Sequence, residues 1–172
     1  MQLSPITYRW SKTGWKNEYI LRDGQGSEVA SVNFDTWTSM NASVRVGDKS
    51  YRLKAKNWRN RDAVITDEEG REVGTFAHYW NSSCRLKLYM ETYQWKQANW
   101  WGSRWKWVDE RQKDVMNFHL QGWWRQKATV NFVEKTDHKL LLMVFGLYAV
   151  HLNAMDSIGS VKGRTIVVMA PL

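Results

Sequence analysis

The chain repeats itself three times, and this constrains its fold more than any other feature of its 172 residues. Three stretches share one pattern: "TYRWSK" at 7–12, "SYRLKA" at 50–55 and "TYQWKQ" at 92–97. Tyr51 follows Tyr8 by 43 positions, and Tyr93 follows Tyr51 by 42. Seven residues beyond each Tyr stands a Trp: Trp15, Trp58 and Trp100. "ILRDGQGSEVASV", "VITDEEGREVGTF" and "KWVDERQKDVMNF" then align around Asp23, Asp67 and Asp109, and Trp37, Trp80 and Trp123 close the register at intervals of 43. Self-similarity at a fixed period means that one supersecondary unit is built several times.

Each unit reads as four short strands. In the second copy "SYRLKAK" alternates Tyr51, Leu53 and Ala55 with Arg52, Lys54 and Lys56, the period of two that a half-buried strand requires. "DAVITD", a turn from Asp67 to Gly70, and "REVGTFAHY" follow as a hairpin, and "SCRLKLYM" supplies the fourth strand. Three units give twelve strands ending near Phe132, all in a single domain over residues 1–172.

Behind the strands comes a different texture. From Leu140 to Val150 eleven residues pass without a charge or an amide. A bilayer needs about twenty, so this run is too short to cross one. Asp137 or Thr136 can cap a helix over about 137–154, and apolar side chains on every face require that helix to be buried all round. Gly146 and Ala149 would allow a close wall. "RTIVVMA", after Gly163, reads as one further strand. A β-propeller typically needs at least four blades, and a β-trefoil has no room for a central helix. The fold expected is therefore mainly β: a twelve-stranded antiparallel barrel enclosing the C-terminal helix.

Composition narrows the partners. Twelve Trp and seven Tyr demand many large buried or interfacial sites. A net charge of +8 draws the protein to polyanions: anionic lipid, nucleic acid or acidic protein. The N-terminus "MQLSPITYRWSK" lacks the pattern of a signal peptide, and the single Cys84 has no internal disulfide partner, so the expected compartment is the cytoplasm. The sequons at Asn41 and Asn81 then read as turn residues.

The repeated Tyr and Trp landmarks, the Asp turns and the segment Asp137–Tyr148 together resemble the tubby-like superfamily, and more narrowly its bacterial relatives of LURP-one-related proteins and phospholipid scramblases. The resemblance covers nearly the whole chain and implies a twelve-stranded barrel around a C-terminal helix. It further implies phosphoinositide binding through surface Lys and Arg. In scramblase-like members it implies an acidic calcium-binding segment beside the helix, for which this chain offers only Asp156.

Repetition also sorts the candidate sites. A residue present in three copies most simply does one architectural job three times, so Trp15, Trp58, Trp100, Trp37, Trp80 and Trp123 read as packing pieces at strand ends. Trp10, Trp95, Trp105 and Trp107 align with apolar or aromatic counterparts and read as core. Trp101 and Trp124 replace polar residues of the other copies and are the surface aromatic candidates, suited to a lipid interface or to stacking on a base.

The basic candidates are Arg45, Arg52, Lys54, Lys56, Arg59 and Arg61, with Arg85 and Lys87 extending the face if their strand is a neighbour. Between Arg45 and Arg61 the local balance is +6, with Asp48 the one acid. The bland alternative is a barrel exterior kept soluble by its cations. Asp23/Glu28, Asp67/Glu72 and Asp109/Asp114 recur beside turns and read as turn residues, not acid/base pairs. The four His have no metal-ligand spacing, Cys84 has no activating setting, and "GSVKGRT" does not match a P-loop. The reading is a non-enzymatic binding module with no cofactor or metal. Anionic membrane surface is the leading partner and nucleic acid the second, with a protein-interaction role also open and integral insertion disfavoured.

Overall fold

The structure, a computed structural model, describes residues 8–13, 17–36, 39–56, 61–79, 81–121, 127–133 and 138–162. Twelve strands follow in order: β1 (Tyr8–Lys12), β2 (Glu18–Arg22), β3 (Glu28–Phe34), β4 (Ala42–Val46), β5 (Lys49–Ala55), β6 (Ala63–Thr66), β7 (Glu72–His78), β8 (Cys84–Leu88), β9 (Glu91–Gln97), β10 (Arg104–Val108), β11 (Asp114–Gln121) and β12 (Lys127–Phe132). One helix, α1 (Lys139–Lys162), ends the described chain. Each strand pairs antiparallel with its neighbour, and β1 with β12, so the sheet closes into a barrel without a free edge.

The three units are built alike at atomic detail. Asp23 Oδ1 accepts hydrogen bonds from the backbone N–H of Gln25 and Ser27, both at 2.9 Å. Asp67 does the same for Glu69 and Arg71, and Asp109 for Arg111 and Lys113. Each is a carboxylate turning the chain on its own backbone. Just before each turn the ladder slips by one residue, at Leu21/Arg22, Ile65/Thr66 and Trp107/Val108. A bulge at the same place in every unit adds local bend and twist to the sheet, the kind of curvature closure needs.

Strand alternation puts Tyr8, Trp10, Tyr51, Leu53, Tyr93 and Trp95 inside, all buried. Contacts to α1 come from around the wall. Trp107 of β10 donates its indole N–H to the carbonyl of Leu142 at 2.8 Å. Phe34 of β3 stacks on His151, with centroids 3.8 Å apart, and Phe76 of β7 meets Tyr148 edge-on. The Tyr148 hydroxyl donates to the carbonyl of Met40, between β3 and β4, at 2.6 Å. His151 is thus a core residue, held between rings.

The helix departs from expectation at its far end. It begins at Lys139 and continues to Lys162, well past residue 154. Asp156 therefore lies within it, not after it. At about 1.5 Å per residue the whole helix measures about 36 Å. Its window Lys139–Asp156, of mean hydropathy 1.2, is long and apolar enough by those measures alone to cross a membrane, which the eleven-residue run did not suggest. That window is 67% buried within the protein. The expected caps Thr136 and Asp137 and the expected strand after Gly163 lie outside the described residues.

Because strands alternate in direction, the barrel has two rims. Odd-numbered strands end at one, called here the odd rim, and even-numbered strands end at the other. The helix enters at the even rim, where His138 stacks on Tyr89 of the β8–β9 turn. At the odd rim Asn153 Oδ1 accepts a 2.9 Å hydrogen bond from His78 Nε2, and Asp156 pairs with Arg61.

Candidate functional site

Closure by Asp turns and bulges fixes which strands carry the basic residues next to one another. Arg52, Lys54 and Lys56 point outward from β5 and just beyond it, opposite the buried Tyr51 and Leu53. Arg85 and Lys87 do the same on β8, opposite Cys84, Leu86 and Leu88. These two strands are not neighbours. β6 and β7 lie between them, and across the outer face Lys54 pairs in register with Val64, Val64 with Thr75, and Thr75 with Lys87. At about 4.8 Å per strand, Lys54 and Lys87 are anchored about 14 Å apart in one row. The face is a stripe with an uncharged middle, not one continuous patch.

Pairing divides the candidates further. Arg45 holds Glu28 at 2.5 Å, and Arg52 holds Asp35 at 2.6 Å while also donating to Ser43. Both line an outer groove of about 440 Å³ shared with Glu18, Asp67 and Glu68, so carboxylates already answer its positive charge. Arg61 pairs with Asp156, within the second half of α1, and ties the helix to the rim, a structural task. Lys54, Lys56, Arg85 and Lys87 are exposed and form no ion pair among the described residues. Arg59 and Trp124 lie outside the described residues, as do Trp15, Trp37, Trp58, Trp80 and Trp123.

Trp101 is 74% exposed. Trp100 corrects the sequence reading: it is no packing piece but 80% exposed, with its ring 4.8 Å from that of Trp101. The reason is the turn that carries it. Asn99 Oδ1 accepts from the N–H of Ser103 and Arg104, Gln97 donates to the carbonyls of Asn99 and Trp100, and Gly102 takes φ +65°. Trp105, 3% exposed, fills the space beneath and donates its indole N–H to Gly102. Both turn indoles are left outside. The signal that could have shown this was "NWWG" itself, an Asn-to-Gly turn with no inner place left for a second and third Trp.

Chemical groups elsewhere are occupied in holding the fold. Burial pushes the Cys84 thiol well above its usual range, with Asp156 adding to the effect, so it stays protonated. His78 is buried against Asn153. Among the described residues no group of three His, Cys, Asp or Glu is placed to hold a metal ion.

By its fold the protein is a closed antiparallel β-barrel filled by its own C-terminal helix, with a tryptophan pair and cations that form no ion pair among the described residues on the outside. Neither a family model nor a curated protein matches the chain. Among solved structures it is similar to a protein of Arabidopsis thaliana determined by X-ray crystallography, at 11% identity over 88% of this chain and 91% of that one, with a TM-score of 0.42.

Proposed function

We propose that the chain is a non-enzymatic member of the tubby-like superfamily, akin to LURP-one-related and scramblase-like proteins, that associates reversibly with an anionic membrane surface from the cytoplasmic side. The family reading is supported by the landmark residues and by a twelve-stranded barrel closed around a C-terminal helix. The observation that carries the function is the division among the cations. Lys54, Lys56, Arg85 and Lys87 stand outward and unpaired, whereas Arg45, Arg52 and Arg61 are held by carboxylates. Each basic residue near an anionic bilayer contributes about 1 kcal/mol, so four supply about 4 kcal/mol, enough for reversible but not permanent attachment.

Attachment is peripheral in this reading. Pulling α1 out of the barrel would break the Trp107–Leu142 and Tyr148–Met40 hydrogen bonds and expose the aromatic lining. Co-sedimentation with anionic vesicles tests the proposal. Changing Lys54, Lys56, Arg85 and Lys87 to Glu abolishes binding if it holds, and binding equal to the original protein's contradicts it. A second reading, single-stranded nucleic acid, is favoured by the exposed Trp pair, on which bases can stack. A steep log–log salt slope with an oligonucleotide and none with vesicles would select it.

A further inference from the structure

The two rims differ chemically. At the even rim the turns carry Asp23, Asp48, Asp67, Glu68, Glu69, Asp109 and Glu110 against Arg71, Arg111 and Lys113, an acidic balance although Arg71 pairs with Asp67 and Glu69. At the odd rim Asp35 and Asp156 are neutralised by Arg52 and Arg61, leaving Glu18 and Asp62. Exposed rings occur at both rims, with Tyr89 at the even one, but the two indoles, the most exposed rings among the described residues, share the odd rim. Tyr79, Trp100 and Trp101 stand out at the odd rim, on the β7–β8 and β9–β10 connections. β8 lies between β7 and β9, and it carries the unpaired Arg85 near this rim, opposite Gln94. Arg104, exposed and without an ion pair among the described residues, follows the Trp turn directly.

Resting on the membrane reading above, we propose that the protein docks end-on, the odd rim of β7–β10 meeting an anionic bilayer and Trp100 and Trp101 entering the headgroup layer. Trp and Tyr concentrate at that depth because one side of the ring is apolar and the other carries a hydrogen-bonding group. Arg85 and Arg104 flank the rings and face lipid phosphates, with Lys56 on the neighbouring arc. The even rim, with its excess of carboxylates over cations, points away from the bilayer, so charge favours one orientation. The Asn99-centred turn matters energetically because it holds both indoles in place before contact, and little ordering entropy remains to be lost.

The test is partition into anionic vesicles for the intact chain, for Trp100→Ala with Trp101→Ala, and for Met90→Ala, which removes the most exposed apolar residue of the even rim. Exposed positions leave folding unthreatened. The double Trp variant should partition about tenfold more weakly or worse, with Met90→Ala unchanged. If the double variant partitions normally while Lys54→Glu with Lys87→Glu does not, the membrane reading stands and end-on docking is wrong. Should the intact chain fail to bind anionic vesicles at all, both fall together. Loss of oligonucleotide binding by the Trp variant, with vesicle partition untouched, would assign the pair to base stacking and overturn the proposal.

Discussion

Gly146 of α1 lies so close under Phe118 of β11 that a Cβ on it would come within 2.6 Å of the ring's Cζ, and within 3.1 Å of Trp95. Phe118 is 2% exposed and packed between Trp10 and Trp95, so it has nowhere to retreat. Gly146→Ala gains up to about 1 kcal/mol of helix propensity but overpacks the core at about 1–3 kcal/mol. The net result should be a lower thermal midpoint by circular dichroism, by several degrees at about 2–4 °C per kcal/mol in a chain of this size. Gly74→Ala should be worse, because its Cβ would meet the backbone carbonyl of Lys87.

The Asp67 turn predicts a pH dependence. Partial desolvation opposes ionisation there, but hydrogen bonds from the backbone and guanidinium of Arg71 outweigh it and hold the carboxyl below its usual range. A lowered folded pKa stabilises the fold above the ordinary carboxylate value and ceases to do so as pH falls through the lowered one. Asp67→Asn keeps the Oδ1 acceptor for the backbone but loses the charge and, with Oδ2, the acceptor for the Arg71 guanidinium. Its melting temperature should fall short of the original protein's at pH 7, and the gap should narrow as the pH is taken below the ordinary carboxylate range.

Tyr148 predicts the opposite direction. Burial first, and Cys84 second, raise its hydroxyl well above the ordinary tyrosine value. Its contribution is complete below that ordinary value, about pH 10, and declines as pH rises beyond it. Tyr148→Phe also leaves the Met40 carbonyl without its 2.6 Å donor, a loss of about 1 kcal/mol. The stability difference in urea should be present at pH 7 and narrow above about pH 10.

Paired and unpaired cations should separate by assay. Arg52→Ala breaks a half-exposed pair with Asp35, so it should cost at most about 1 kcal/mol and change vesicle binding by less than about twofold. Lys54→Glu with Lys87→Glu breaks no ion pair, so the thermal midpoint should hold while vesicle affinity falls about tenfold or more.

Much of this was legible in the sequence because the repeat is. Tyr8, Tyr51 and Tyr93 with Asp23, Asp67 and Asp109 give strand, turn and register through local chemistry alone. The closing helix is readable from its apolar run. Its extension to Lys162 is not, since Ser157, Gly159 and Ser160 are weak helix residues, and the stretch before them is fastened by partners remote in sequence, Arg61 to Asp156 and His78 to Asn153. Trp100 misled for a related reason. Position in a repeat says where a residue recurs, but Trp105 decides whether room remains inside. The face itself was legible as alternation on one strand. Its division was not, because it depends on β6 and β7 intervening and on carboxylates from other strands meeting Arg45 and Arg52.

The most direct test of membrane association is co-sedimentation of the intact chain with vesicles at about 0.15 M salt, where the Debye length is about 8 Å. One vesicle set is neutral and the other contains anionic lipid. Pelleting with the anionic set alone is the predicted result. Absence from both pellets would contradict the account and leave the outward cations as charges that keep a barrel in solution.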